Sequence, residues 1–287
     1  MKPAAFDYAR PASVAAALQA LADRAPEAKV LAGGQSLVPM MNFRMARPAV
    51  LVDINRLAEL DYHRLEGDTL VVGALARHAA LRASPVVRAA CPLMAETYQH
   101  VANGPVRNQG TLCGNLCHAD PASEMPAVAL VADAAMVLRS ARGERRLDAD
   151  AFFLGVYETA ARPDELLAEV RIPVAPAKRG WSFQEVSVRK GDFAIVGVAA
   201  TLAVAKGSVA EARIAVCGVG PRAVRLRDVE RSLTGRSAAE ASFGAAADAA
   251  AASVNPQEDV NASAAYRRDL VRALVRRALA EAGGRAG

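Results

Sequence analysis

Between Ser13 and Ala25 the apolar residues recur every three to four positions, and Val14, Leu18 and Leu21 share one face of an Ala/Leu-rich helix that Ser13 is placed to cap. Lys29-Val30-Leu31-Ala32 then predicts a short buried strand. Gly33-Gly34 ends it, Ser36-Leu37-Val38 opens a second helical segment interrupted by Pro39, and residues 50–54 form the next strand. Strand, turn, helix and strand in such quick succession make a small parallel α/β unit. Further on, residues 69–74 read as a strand after a Gly-Asp turn, 76–83 and 85–101 as helical, 125–132 as a helix and 134–139 as a strand closing on Gly143. An alternating strand at 167–172 runs into Pro173-Val174-Ala175-Pro176, and the main domain boundary is placed there. Beyond it, residues 182–186, 195–204 and 211–219 read as antiparallel strands, the last two joined at Lys206-Gly207. Two helices, near 222–232 and 263–282, complete the chain. In the second, Tyr266, Leu270, Ala273, Leu274 and Ala278 form an apolar stripe, and Arg267, Arg268, Arg272 and Arg276 lie outside it as a solvated face.

Composition narrows the classes. A chain of 287 residues exceeds one compact domain, which favours two or three packed subdomains. With 53% hydrophobic and 23% charged residues it is neither disordered nor of low complexity. The net charge of +5 is spread along the chain and aromatics are only 5%, so no basic, aromatic-laced tract for nucleic acid is present. The opening residues 1–8 lack the apolar core of a signal peptide and no stretch stays uncharged long enough to span a bilayer, which gives a cytoplasmic expectation. Cys91, Cys113, Cys117 and Cys217 are too scattered for a disulfide framework and lack the second tight pair of a structural zinc site.

Three segments carry candidate chemistry. Ala32-Gly33-Gly34-Gln35-Ser36-Leu37 sits between a strand and a helix start, where paired glycines let backbone N–H groups approach an anion; a tight turn with a Ser N-cap is the alternative. It is neither a Walker A loop nor a Gly-x-Gly-x-x-Gly fingerprint. Gly110-Thr111-Leu112-Cys113-Gly114-Asn115 continues through His118-Ala119-Asp120-Pro121 as a loop dense in polar and turn-forming residues, suited to a second wall of a ligand site. Arg189-Lys190-Gly191-Asp192-Phe193 is a charged turn before an apolar strand, a hairpin entry that also offers a flat apolar ring.

Taken in order, these segments resemble the FAD-binding medium subunit of the xanthine dehydrogenase and carbon monoxide dehydrogenase family, the molybdenum hydroxylases. The matching runs are residues 31–39 continuing to Asp53-Ile54, residues 106–111 and 118–126, Phe183-Gln184-Glu185 with 191–194, and Ala264-Ala265-Tyr266-Arg267-Arg268. The resemblance implies an α+β (mixed α/β) chain: a FAD-binding domain of the vanillyl-alcohol oxidase and p-cresol methylhydroxylase type over 1–176, with subdomains of about 1–56 and 57–176. A smaller α+β domain with an antiparallel sheet follows over 177–287.

It also implies that the two glycine segments embrace the FAD pyrophosphate, that Asp120 lies near the ribityl or phosphate region, and that Phe193 lies beside the isoalloxazine with Lys190 and Asp192 nearby. Cys113 stands where many relatives have a first glycine. Gln35 stands where some covalent flavoproteins carry a linking histidine, so the FAD is expected to be non-covalent. The implied assembly contains a large molybdopterin subunit and a small subunit with [2Fe-2S] clusters, as a dimer of heterotrimers. Substrate oxidation then takes place on a partner chain, and the medium subunit needs no catalytic residue of its own. The rival readings are a stand-alone flavin oxidase of the same superfold and a non-catalytic nucleotide-binding assembly subunit.

Overall fold

The structure is a computed structural model, and it describes residues 1–286. The N-terminal part holds β1 (Asp7–Ala9), α1 (Val14–Arg24), β2 (Ala28–Leu31), α2 (Leu37–Asn42) and β3 (Val50–Asp53). The strands form a parallel sheet in the order β1-β3-β2. All four residues of β3 are buried because it is the central strand, covered on one face by Leu18 and Leu21 of α1. Ser13 caps α1 by accepting the Ala16 N–H at 3.2 Å. Replacing it by alanine should cost about 1 kcal/mol in a urea melt, and no loss would mean that water caps this end equally well. Pro39 does not break α2: it lies in the first turn, where its missing N–H has no intrahelical acceptor to lose.

The middle of the chain runs β4 (His63–Glu66), β5 (Thr69–Gly73), α3 (His78–Ala83), α4 (Pro85–Ala90), α5 (Pro92–Thr97), α6 (Gly104–Gln109), α7 (Leu112–His118), α8 (Glu124–Val131), β6 (Ala135–Ser140), β7 (Gly143–Asp148), α9 (Ala149–Phe152), β8 (Phe153–Gly155), β9 (Glu158–Thr159) and β10 (Leu166–Pro173). An antiparallel sheet, β4-β5-β10-β6-β7, is its frame. The helical stretch expected over 85–101 is broken at Cys91, which leaves the helical region (φ −142, ψ 76) before Pro92, as a residue preceding proline tends to. The polar loop expected after Gly110 is instead a helix, α7, with Thr111 as its N-cap.

The last part holds β11 (Arg179–Ser187), β12 (Ala194–Ala205), β13 (Ser208–Cys217), β14 (Val224–Arg225), α10 (Arg227–Leu233), α11 (Glu240–Ser253) and α12 (Ala264–Arg285). The four strands form an antiparallel sheet in chain order, with the hairpin turn at Lys206-Gly207. One face of that sheet, with Val196, Val198, Ile214 and Val216, packs under α10, α11 and α12. The opposite face, with Phe183, Ala199, Ala215 and Cys217, joins the core of the preceding part. Between the two lies α8, whose eight residues are all buried, so it has no polar face to give to solvent.

Two expectations fail in this last part. The sequence reading placed no helix over 240–253, yet α11 spans it. The arginine face of α12 is not solvated throughout: Arg267 is 6% exposed and donates to the Ile195 carbonyl at 2.5 Å, the Gly218 carbonyl at 2.8 Å and Asp259 at 2.7 Å. The buried stripe runs through Val271, Leu274, Val275, Ala278, Leu279 and Ala282, leaving Tyr266 and Ala273 exposed.

Candidate functional site

A cleft of about 1210 Å³ opens where the small parallel sheet meets the middle and last parts of the chain. Pockets for ordinary small ligands run to about 1,000 Å³, so this one suits an extended molecule. Its walls bring together segments far apart in sequence: Ala32, Gly33, Gly34, Gln35, Ser36 and Leu37 on one side, Thr111, Cys113, Gly114, Asn115, His118 and Asp120 on another, with Asp192 and Phe193 near a third. Leu112 and Ala119 do not line it. Leu112 is in the core, and Ala119 ends α7 in the left-handed conformation (φ 51). Lys190 is exposed and also lies outside the lining.

The first wall is a row of donors. The backbone N–H groups of residues 33–37 have no acceptor among the described residues. The Ser36 hydroxyl caps nothing, contrary to the simple turn-and-cap reading, and Gln35 folds back so that its amide donates to the Gly33 carbonyl at 3.1 Å. Gly33 is required by contact: a Cβ there would meet the Gln109 carbonyl oxygen and lie 2.7 Å from the Gly110 Cα. Gly34 is required by conformation, at φ 69. The loop is held from behind by Asn55, whose amide donates to the Ala32 carbonyl at 2.8 Å and whose oxygen accepts from Arg77 at 2.6 Å; Arg77 also donates to the Gln109 carbonyl.

The second wall is the start of α7. Thr111 Oγ accepts the Gly114 N–H at 3.0 Å, and the Asn115 amide is locked to Ser123 at 2.9 Å. Cys113, where a glycine was expected to matter, lines the cleft but is 3% exposed and turns its sulfur inward toward the Val72 carbonyl at 4.0 Å. Asp120 is fixed by the Ala122 N–H at 2.9 Å and the Tyr157 hydroxyl at 3.3 Å. Tyr157 stacks on His118 with ring centroids 4.8 Å apart. Burial lowers the His118 pKa, with Asp120 opposing the shift.

The third wall is the turn before β12. Phe193 is 54% exposed beside the similarly exposed Val188, and Asp192 is paired with Arg189 at 3.0 Å. Sequence reasoning missed Tyr157, Glu124, Arg267 and the 257–261 segment at the cleft mouth. Glu124 and Arg267 stood in motif runs without being read as site residues; Tyr157 and the 257–261 segment are placed by tertiary contacts with no local signature.

Gly33 packs on the Gln109 carbonyl beside a row of N–H groups with no acceptor among the described residues, an arrangement whose chemistry suits an anionic, phosphate-containing ligand. A family model described as the FAD binding domain in molybdopterin dehydrogenase matches residues 4–175, and one described as the CO dehydrogenase flavoprotein C-terminal domain matches 181–282. The chain belongs to the FAD-binding medium subunits of the molybdenum hydroxylases. It is similar to the caffeine dehydrogenase subunit beta of Pseudomonas sp. (strain CBB1), with 46% identity over 82% of this chain and 80% of the relative. Carbon monoxide dehydrogenase from Hydrogenophaga pseudoflava superposes with a TM-score of 0.97 at 39% identity, covering 100% of both chains. Quinoline 2-oxidoreductase from Pseudomonas putida 86 gives 0.95 at 37% identity, covering 100% of this chain and 99% of the other. As a molybdenum hydroxylase medium subunit the chain is a flavoprotein component of an oxidoreductase built from more than one kind of chain, and the substrate is oxidised on a partner. No helix among the described residues is long and apolar enough to cross a membrane.

Proposed function

We propose that this medium subunit holds FAD non-covalently in the cleft between the 32–37 loop and the start of α7, and serves as the outlet for electrons from a molybdenum hydroxylase. The observation that carries the reading is the row of unpaired N–H groups at 33–37 facing the same cleft as the Thr111 end of α7. Backbone donors converging from a glycine turn and a helix start neutralise a pyrophosphate without a mobile side chain. Ser36 supplies a hydroxyl beside them, Asp120 an acceptor already fixed by two donors, and Phe193 with Val188 an apolar cover that keeps water from the ring. Bound flavin supplies the exchange between one-electron and two-electron carriers, while the protein positions the ring and tunes its potential. Gln35 is not a residue that links flavin covalently.

In this reading the substrate is oxidised at a molybdenum cofactor on a large subunit, [2Fe-2S] clusters sit on a small subunit, and an external acceptor is served from this chain. The assembly is a dimer of heterotrimers in the cytoplasm. The FAD-binding domain spans 1–176, with subdomains of about 1–56 and 57–176 built on the parallel and the first antiparallel sheet; the C-terminal domain spans 177–287. The test is an absorbance spectrum of the purified chain before and after acid precipitation. Stoichiometric FAD in the supernatant is expected. Flavin left in the pellet would contradict the non-covalent reading, and no flavin after reconstitution would contradict the cofactor itself.

A further inference from the structure

Beneath the cleft lies a set of acidic groups that phosphate binding does not use. Glu185 of β11, Gly197 of β12 and Cys217 of β13 are paired in one row across the sheet, on the face turned to α8. Gly197 keeps the row open: a Cβ there would lie 2.7 Å from the Cys217 sulfur. Glu124, the first residue of α8, is 3% exposed and lines the cleft; α8 packs on β12 and β13, and the turn before it is tied to the ends of those strands by the Ala194 N–H donating to the Ala122 carbonyl at 3.2 Å and the Gly218 N–H to the Pro121 carbonyl at 2.8 Å. The Glu185 side chain is 2% exposed, and its Oε2 has no hydrogen-bond partner. Its Oε1 is 3.9 Å from His100 Nδ1, and the His100 side chain is 35% exposed. A carboxyl, a second carboxyl and an imidazole thus lead from the cleft toward solvent.

We propose that Glu124 and Glu185 form a buried proton store for reduction of the cofactor, refilled from solvent through His100. The proposal rests on FAD occupying the cleft. Two electrons arriving from the partner chain fully reduce a flavin together with two protons. Glu124 gives one of them, takes a replacement from Glu185, and Glu185 is refilled from solvent by way of His100; the second proton is taken directly from the water of the open cleft. When an external acceptor withdraws the two electrons the store is already full, and the proton given by Glu124 leaves with the acceptor or passes to solvent. Such a role requires carboxyl groups that are still protonated near neutral pH. Burial pushes Glu124 up to about 8, and the nearby Glu185 and Asp120 act in the same direction. Burial likewise pushes Glu185 up to about 7. His100 is lowered by burial and by Lys190, with Glu96 opposing. Cys217, facing all three acids, is held as the neutral thiol by burial.

The test is the midpoint potential of the bound FAD as a function of pH, measured by spectroelectrochemistry on the FAD-loaded chain and on Glu124→Gln and Glu185→Gln, which keep shape and remove the proton. Because reduction adds electron density to the ring beside Glu124 and so holds its proton to higher pH, the wild-type curve should bend near pH 8, Glu124→Gln should lose the bend, and Glu185→Gln should move it to lower pH. In His100→Phe the curve should be unchanged and proton uptake, followed with an indicator dye after photoreduction, should slow about tenfold. Identical curves for wild type and Glu124→Gln, each with stoichiometric FAD, would overturn the store; unchanged uptake in His100→Phe would overturn the route. Carboxyl titration of the flavin-free chain by isotope-edited infrared spectroscopy separates the two readings. Protonated Glu124 at pH 7 in a chain that takes no FAD would sink the cofactor reading, whereas ionised Glu124 in a chain that does take it would sink the store.

Discussion

Gly33→Ala should empty the cofactor cleft. The added methyl would be driven into the Gln109 carbonyl oxygen and to 2.7 Å from the Gly110 Cα, both backbone atoms that cannot swing aside. Either the 32–37 loop or the Gln109-Gly110 turn must then retreat. Each carries cleft-lining groups, so the spacing between the two walls changes. Overpacking of this kind costs about 1–3 kcal/mol of stability, which a chain of this size survives. FAD retention should fall at least tenfold, measured as flavin per protein after gel filtration and as the dissociation constant on reconstitution. Gly34→Ala is the informative control, because its penalty is conformational, about 1–2 kcal/mol at φ 69, and no backbone atom lies within 3.0 Å of the new methyl. Its effect on retention should be smaller. A Gly33→Ala chain that purifies with stoichiometric FAD would show that the close approach is incidental.

Arg267→Met should destabilise the last part of the chain by about 2–4 kcal/mol, since the Ile195 and Gly218 carbonyls lose their donor together and each buried polar group left unpaired costs about 1–3 kcal/mol. Methionine fills most of the volume, so the loss reports the hydrogen bonds more than a cavity. Arg276→Met, which removes a surface pair with Glu240, should stay within about 0.5 kcal/mol. Urea midpoints for the two variants decide the matter, and equal midpoints would return Arg267 to the role of a solvated side chain.

That contrast shows where sequence reasoning stopped. Arg267, Arg268, Arg272 and Arg276 look alike in the sequence, and nothing in their spacing reveals that Ile195 and Gly218 lie opposite just one of them. Helix α11 was illegible for a different reason. Its buried positions, Phe243, Ala246, Ala247, Ala250 and Ala251, follow helical spacing, but four of the five are alanines set among other alanines, so the buried face has no hydrophobic contrast with the exposed one. The main strands were legible because Val50, Val71, Val170 and Val198 sit in short apolar runs bounded by turn residues. At the cleft, the glycine pair could be read as chemistry because it leaves backbone N–H groups open to an anion, and the Thr111 to Asp120 region because hydroxyl, amide, imidazole and carboxylate crowd into ten residues. Leu112, Ala119 and Lys190 were carried along by adjacency: the helix beginning at Leu112 turns one side chain inward, and the turn at Gly191 leaves Lys190 outside the cleft lining. The His100, Glu185 and Glu124 line depends on strand register and helix placement, which no local pattern encodes.

The all-buried helix α8 bears on how these subunits diversify. Because its residues pack on β12 and β13 while its first residue lines the cleft, the seam between the two matched modules is not a seam in the packing. A chimera that exchanged only the segment after residue 176 between two relatives would set a foreign sheet against the resident helix, and the misfit would be felt at Glu124. Natural recombination within this lineage is therefore expected to move α8 together with β12 and β13, or to leave all three in place.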